Sequence, residues 1–329
     1  MRATVAATLA WLGLATACAA QKPNRLGGGA EYWAFTAPWD RASAASVAAN
    51  AARLDAVVTG WIALDSVSGR PFVASSYRDD QRLPRRTRRF AIVTSWHNDR
   101  FHPTSIRALA ARPAVLGEAA RWVAIHAASG GYAGLVLDFE ELEPSDLQAQ
   151  LAVTRAVRDS AHARGIRVVV TAIPAGNVTS YPVRPLLGAA DLVLVMLYDQ
   201  HWLTSEPGPI SAPSWVMRSL ETRVAEAGGP ERIVAGLPLY GYRWRRGATT
   251  EIVSFGDAQR IAAQTRTPLR RDAASFTLRA HRSPDWDLWV TDVELLRRLM
   301  TDVRRRGVRR VAFWRMGQED PKVWGTLVR

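Results

Sequence analysis

Eight short apolar runs, helical segments between most of them, and acids or aromatics at the C-terminal ends of several runs predict an α/β chain of the (β/α)8 TIM barrel type. The 329 residues suffice for one large barrel. The spacing between the seventh and eighth runs is too long for one helix, and 248–290 is expected to form a small α+β insertion on the rim. A doubly wound sheet is disfavoured because no glycine-rich phosphate loop opens a helix after the first strand.

Taken in order, 31–38 reads as the first strand, closed by Trp39-Asp40, and the alanine-rich 43–54 as a helix. The second strand is 55–64, and the charged 66–89 is a loop or short hairpin. The third strand is 90–96, and 105–129 is helical with a break near Pro113, since proline lacks the N–H a helix interior needs. Ser129-Gly130-Gly131 is a turn before the fourth strand. Pro144 starts an amphipathic helix that Gly165 closes. Strands follow at 166–173, 191–198 and 233–240, with a helix over 215–227 stopped by Gly228-Gly229. A helix over 293–306 and the last strand, 308–314, complete the ring, so the domain spans 31–329.

The N-terminus reads as an export signal over 1–18 followed by a polar, glycine-rich flexible tether over 19–30. Arg2 supplies the charge, and the apolar 4–16 is too short to span a bilayer comfortably. Cys18, the single cysteine, stands behind this segment as the lipidated cysteine of bacterial lipoproteins does, with Ala15 where that pattern has leucine. Lipidation at Cys18 and plain signal cleavage both stay open, and both place the protein outside the cytoplasm, in the cell envelope or secreted. The body has no disulfide, so its stability must come from its core.

The formal charge is +13, nearly all of it arginine, yet the runs are scattered and carry no nucleic-acid-binding signature. No nucleic acid partner is expected, and the membrane enters only through the lipid anchor. Six histidines without His-Glu-x-x-His, and no Gly-x-Ser-x-Gly, argue against zinc and serine hydrolysis. No metal and no cofactor are expected. A monomer is expected.

The fourth strand carries the strongest chemical signal. Val136, Asp138 and Glu140 alternate onto one face of the run 132–142, which puts the two acids about 6–7 Å apart along it. Two carboxyls that close at a buried strand end repel, and the charge of one raises the pKa of the other, a candidate general acid; with Glu141 and Glu143 following at once, spacing alone equally allows a solvated acidic loop. Tyr198 and Asp199 end the sixth strand, while Trp39, Trp96, Tyr240 and Trp314 end the first, third, seventh and eighth. In a barrel these ends meet at one mouth.

These residues resemble the family 18 glycoside hydrolases, the chitinase-like barrels, and most of all their spore-germination-type wall hydrolases. The family's Asp-Gly-x-x-x-Asp-x-Glu stands here as Ala133-Gly134-Leu135-Val136-Leu137-Asp138-Phe139-Glu140, and its Met-x-Tyr-Asp as Met196-Leu197-Tyr198-Asp199. The runs from Gly236 to Trp244 and from Phe313 to Pro321 are also similar. The resemblance implies a substrate-assisted retaining glycosidase acting on β-1,4-linked N-acetylglucosamine polymers, either chitin-like or peptidoglycan-like. It implies Glu140 as proton donor and Asp138, Tyr198 and Asp199 as the groups that hold the 2-acetamido group. Trp314 would floor the site, and Tyr240, Trp39 and Trp96 would wall it. Ala133 and Val136 replace residues that are acidic in the family, so a catalytically weak or inactive carbohydrate-binding barrel is the alternative.

Overall fold

The computed structural model describes residues 29–74, 77 and 82–326. The expected export signal, Cys18 and nearly all of the tether lie outside the described residues. Eight parallel strands close into the expected ring: β1 (Glu31–Phe35), β2 (Ala56–Leu64), β3 (Arg88–Thr94), β4 (Gly134–Asp138), β5 (Val168–Pro174), β6 (Leu192–Met196), β7 (Ile233–Pro238) and β8 (Arg310–Trp314). Each pairs with the next, and β1 pairs with both β2 and β8, so no edge is left open.

The strands read as continuous apolar runs because both of their faces are covered. Along β4, Leu135, Leu137 and Phe139 pack outward against the helices, whereas Val136 joins Phe35, Ile92, Val170 and Leu194 inside the barrel. Gly134 opens β4 because a Cβ there would lie 2.8 Å from the Phe90 ring. Only a glycine lets the two strands approach at this point.

The helices are α1 (Arg41–Asn50), α2 (Pro103–Ala110), α3 (Pro113–Ser129), α4 (Leu147–His162), α5 (Val183–Leu187), α6 (Pro213–Ala227), α7 (Phe255–Gln264) and α8 (Val293–Arg305), with Lys322–Thr326 a final short turn of helix. The break expected near Pro113 separates α2 from α3, and Pro113 is the first residue of α3, where its missing N–H costs nothing.

A five-stranded antiparallel sheet, with α7 against it, stands between β7 and α8. Its first strand is Gly241–Arg245, seven residues ahead of the boundary that spacing suggests. The chain leaves β7 at Pro238 and enters this sheet almost at once, so barrel strand and lobe strand read as one run. Arg271 of the lobe grips Asp292, which also caps α8 by accepting from the Leu295 N–H at 3.0 Å. The lobe is thereby fastened to the barrel's last helix.

Candidate active site

The strand ends build a cleft of about 390 Å³ at the C-terminal pole of the barrel, within the usual range for small-molecule sites. Asp138 ends β4 with only 8% of its surface exposed. Thr94, directly opposite it in register on β3, donates its hydroxyl to Asp138 Oδ2 at 3.0 Å. The same Thr94 oxygen accepts the Trp96 N–H at 3.0 Å, which turns the chain after β3 into the cleft wall. Glu140 lines the same cleft and hydrogen-bonds to Asp138.

Burial is the first cause of both carboxyls' behaviour. It lifts Asp138 to about 6, against which the hydrogen bonds from Thr94 and Glu140 pull downward. It holds Glu140 well above the usual carboxyl range, and the charges of Asp138 and Asp199 push further the same way. Mutual repulsion, which the sequence puts first, is secondary to the loss of water. Val136 sits beneath Asp138 as an apolar floor, so no acid lies below Asp138 to share its proton.

Tyr198 and Asp199 leave β6 on the other side of the cleft. Asp199 takes a left-handed backbone, φ 57°, which costs a non-glycine residue on the order of 1 kcal/mol. The loop that follows is pinned by Gln200 N–H to Ile210 O at 2.9 Å and by the Ser211 hydroxyl to Leu197 O at 2.6 Å. That turn aims the Asp199 carboxyl at two phenols: the Tyr240 and Tyr242 hydroxyls both donate to Asp199 Oδ1, Tyr242 at 2.9 Å. Burial raises Asp199 above the ordinary carboxylate range, and these two donors oppose the rise. Burial also holds the Tyr198 phenol well above its usual pKa, so it stays a neutral donor. Its hydroxyl makes no hydrogen bond to another described residue, while its ring meets Tyr240 edge-on at 6.3 Å.

Trp314 ends β8 on the cleft floor, edge-on to Phe35 at 5.4 Å and 6.4 Å from Trp61. Arg315 next to it donates to Asp40 Oδ2 at 2.6 Å and ties this floor to the loop after β1. Trp39 stacks on Trp96 with ring centres 5.7 Å apart and meets Trp61 edge-on at 4.9 Å. Trp39 remains 46% exposed, an open aromatic face rather than core.

All eight residues singled out for the cleft, Glu140, Asp138, Tyr198, Asp199, Trp314, Tyr240, Trp39 and Trp96, therefore line one cavity. Trp61 and Tyr242 line it as well without having been singled out, and Thr94, fully buried, supports it from behind through Asp138. Tyr242 lies two residues after Tyr240, a spacing that puts both phenols on one side of an extended chain.

Comparison with known proteins agrees with this geometry. No family model matches the chain. YdhD of Bacillus subtilis (strain 168), named as a sporulation-specific glycosylase, is 27% identical over 201 residues, covering 56% of this chain and 47% of its own length. A cortical fragment-lytic enzyme of the same organism is 23% identical over 249 residues, covering 71% of this chain and 58% of its own. The chain thus spans about half the length of the curated relatives it matches. A class V chitinase from Pseudomonas fluorescens Pf-5 superposes with a TM-score of 0.79 at 25% identity, covering 91% of this chain and 98% of that one. Curated relatives that are glycosylases and cortex-lytic enzymes, and a solved neighbour that is a chitinase, are consistent with a chitinase-like glycosidase of family 18, as are the ring of eight strands and the acid pair at the end of β4.

Proposed function

We propose that the protein is a glycosidase that hydrolyses a β-1,4-linked polysaccharide containing N-acetylglucosamine, of the cell wall or of chitin, by a substrate-assisted retaining mechanism. The observation that carries this reading is the Glu140–Asp138 hydrogen bond in a buried strand end that faces an aromatic-walled cleft. Glu140, protonated, gives its proton to the glycosidic oxygen as the bond from that oxygen to C1 breaks. The carbonyl oxygen of the sugar's own 2-acetamido group attacks C1 and forms a cyclic oxazolinium. Asp138 accepts from the acetamido N–H and balances the charge that develops there. The free Tyr198 hydroxyl donates to the acetamido oxygen, and Asp199 holds the other side of the group. Water then adds to C1 and gives its proton to the Glu140 carboxylate, so the ring reopens with the starting anomer.

Trp314 offers the flat apolar face on which the reacting sugar rests, and Trp39 with Trp96 extends the surface for neighbouring sugars. The leader and Cys18 fit the same reading: a wall polysaccharide is met outside the cytoplasm, by a released or lipid-anchored enzyme. The test is a panel of β-1,4 oligomers differing only at C2, with products identified by mass spectrometry. N-acetylglucosamine oligomers are expected to be cut, and the same oligomers bearing a free 2-amine or a 2-hydroxyl to survive. Equal cleavage of all three would rule out acetamido assistance. Oligomers that bind but are never cut would make the protein a carbohydrate-binding barrel, with Val136 in place of an acid as the reason.

A further inference from the structure

The pole opposite the cleft is built of arginine. Exposed arginines stand in the segments that lead into the strands: Arg53 ahead of β2, Arg85 and Arg86 ahead of β3, Arg164 and Arg167 ahead of β5. Arg232 ahead of β7 and Arg304 to Arg306 with Arg309 ahead of β8 continue the series around the ring, although Arg305 pairs with Asp302 and Arg306 with Glu221. The exposed acids in the same segments are Asp55 and Glu231. Glu31, at the start of β1, is already engaged by Arg88 and by Arg310 at 3.0 Å, so it does not neutralise the outer arginines. Arg53, Arg85 and Arg167 make no hydrogen bond or ion pair with any described residue. A second cavity, of about 270 Å³, opens at this pole between Arg88, Arg167 and Arg232.

Two further observations single out what such a face would meet. Trp122 and Ile125 are 39% and 52% exposed in the last two turns of α3, which ends at the same pole between the segments that carry Arg85 and Arg167. Exposed tryptophan beside arginine suits the boundary between lipid head groups and acyl chains. The chain also departs from the barrel here, because β1 begins at Glu31. Cys18 stands thirteen residues earlier, within at most about 45 Å of chain.

We propose that this pole is a docking face for an anionic phospholipid surface, with the arginines meeting head-group phosphates and Trp122 and Ile125 seated among the head groups. The cleft mouth then faces away from the bilayer, toward polymer outside it.

Every strand, helix and core cluster of the described fold lies at or beyond Glu31, so the chain from residue 19 onward is the form to test. It is sedimented with phosphatidylglycerol vesicles and, separately, with phosphatidylcholine vesicles. Binding to the first that weakens as salt is raised is expected, with none to the second. The triple substitution Arg53→Gln, Arg85→Gln, Arg167→Gln is expected to weaken binding on the order of 100-fold, from the worth of each cation near an anionic surface. The matched control, Arg246→Gln, Arg266→Gln, Arg270→Gln, removes the same charge from exposed lobe positions and is expected to bind as the parent does. Substituting Trp122→Ser and Ile125→Ser is expected to weaken binding while leaving its salt dependence unchanged. Equal losses in the two triple variants would reduce the effect to net charge and overturn the proposal. So would absence of binding to phosphatidylglycerol, or binding to a soluble anionic wall polymer in its place.

Discussion

The Glu140 carboxyl donates a hydrogen bond to the Asp138 carboxylate two residues before it, where the buried end of β4 meets the cleft. The donor of the pair is the group whose proton burial holds most firmly. Glu140→Gln keeps a donor in the same place, since the amide N–H still reaches Asp138, but it has no proton to give a leaving oxygen. Turnover of N-acetylglucosamine oligomers is expected to fall by about three decades, with binding measured by calorimetry close to the parent's. A variant that still turns over at a tenth of the parent's rate would remove Glu140 from the role of acid.

The same pair sets a pH profile. In the proposed mechanism Asp138 must be ionised to accept, and burial has moved it from 3.8 to about 6. Glu140 must be protonated to donate, and it is held well above the carboxyl range. The plot of kcat/KM against pH is therefore expected to be bell-shaped, with its acid limb near pH 6 rather than near 4. The two steps belong to the pair rather than to either residue. In Asp138→Asn one step is gone, and the acid limb is expected to disappear along with most of the rate. An acid limb near 4 in the parent would mean that Asp138 is solvated.

A carboxyl whose folded pKa is raised makes the fold bind more protons than the unfolded chain does, so stability falls as pH rises through the shifted window. For Asp138 that window runs from about 4 to about 6, and its cost above the window is on the order of 2–3 kcal/mol. Asp138→Asn removes the buried charge. Its thermal midpoint is expected to exceed the parent's at pH 8 and to converge on it at pH 4, by scanning calorimetry. A variant less stable than the parent at pH 8 would show that the carboxylate's hydrogen bonds outweigh its burial.

Tyr240 and Tyr242 both donate to the same oxygen of Asp199. A hydrogen bond to a charged group contributes about 1.5–3 kcal/mol, so either Tyr→Phe change is expected to lower kcat at least tenfold. Because the two donors share one acceptor, the double variant is expected to lose less than the product of the single losses. Strict multiplication would mean that the phenols act independently of Asp199.

How legible these groups were depends on how local their signals are. Period-two alternation put Val136, Asp138 and Glu140 on one face from spacing alone, and the structure has them there. Thr94 was invisible because a threonine in a strand is ordinary. What makes it a site residue is its register opposite Asp138, a pairing between segments 44 residues apart. Trp61 sits inside a fully buried strand and reads as core until the ring closes. Tyr242 was lost at the junction of β7 with the lobe, where two strands separated by two residues read as one. The order in which burial and repulsion act on the acid pair also could not be read, since depth below the surface is a property of the closed ring.

One further support of the site lies far from it in sequence. Arg223, in α6, is fully buried. It donates to the carbonyls of Pro174 at 2.8 Å, Ala175 at 3.0 Å and Tyr181 at 3.0 Å, and pairs with Glu226 at 3.1 Å. The Tyr181 hydroxyl in turn accepts the Leu142 N–H at 2.9 Å, two residues past Glu140. Arg223 thus anchors the segment that braces the loop just past Glu140. Arg223→Ala strands buried carbonyls and is expected to cost about 3–5 kcal/mol of stability by denaturant unfolding. Tyr181→Phe separates bracing from stability, because it removes one acceptor and leaves the ring's packing. It is expected to cost about 1 kcal/mol while lowering kcat severalfold at unchanged KM. A Tyr181→Phe enzyme with the parent's kcat would mean that Glu140 is positioned by β4 and Asp138 alone.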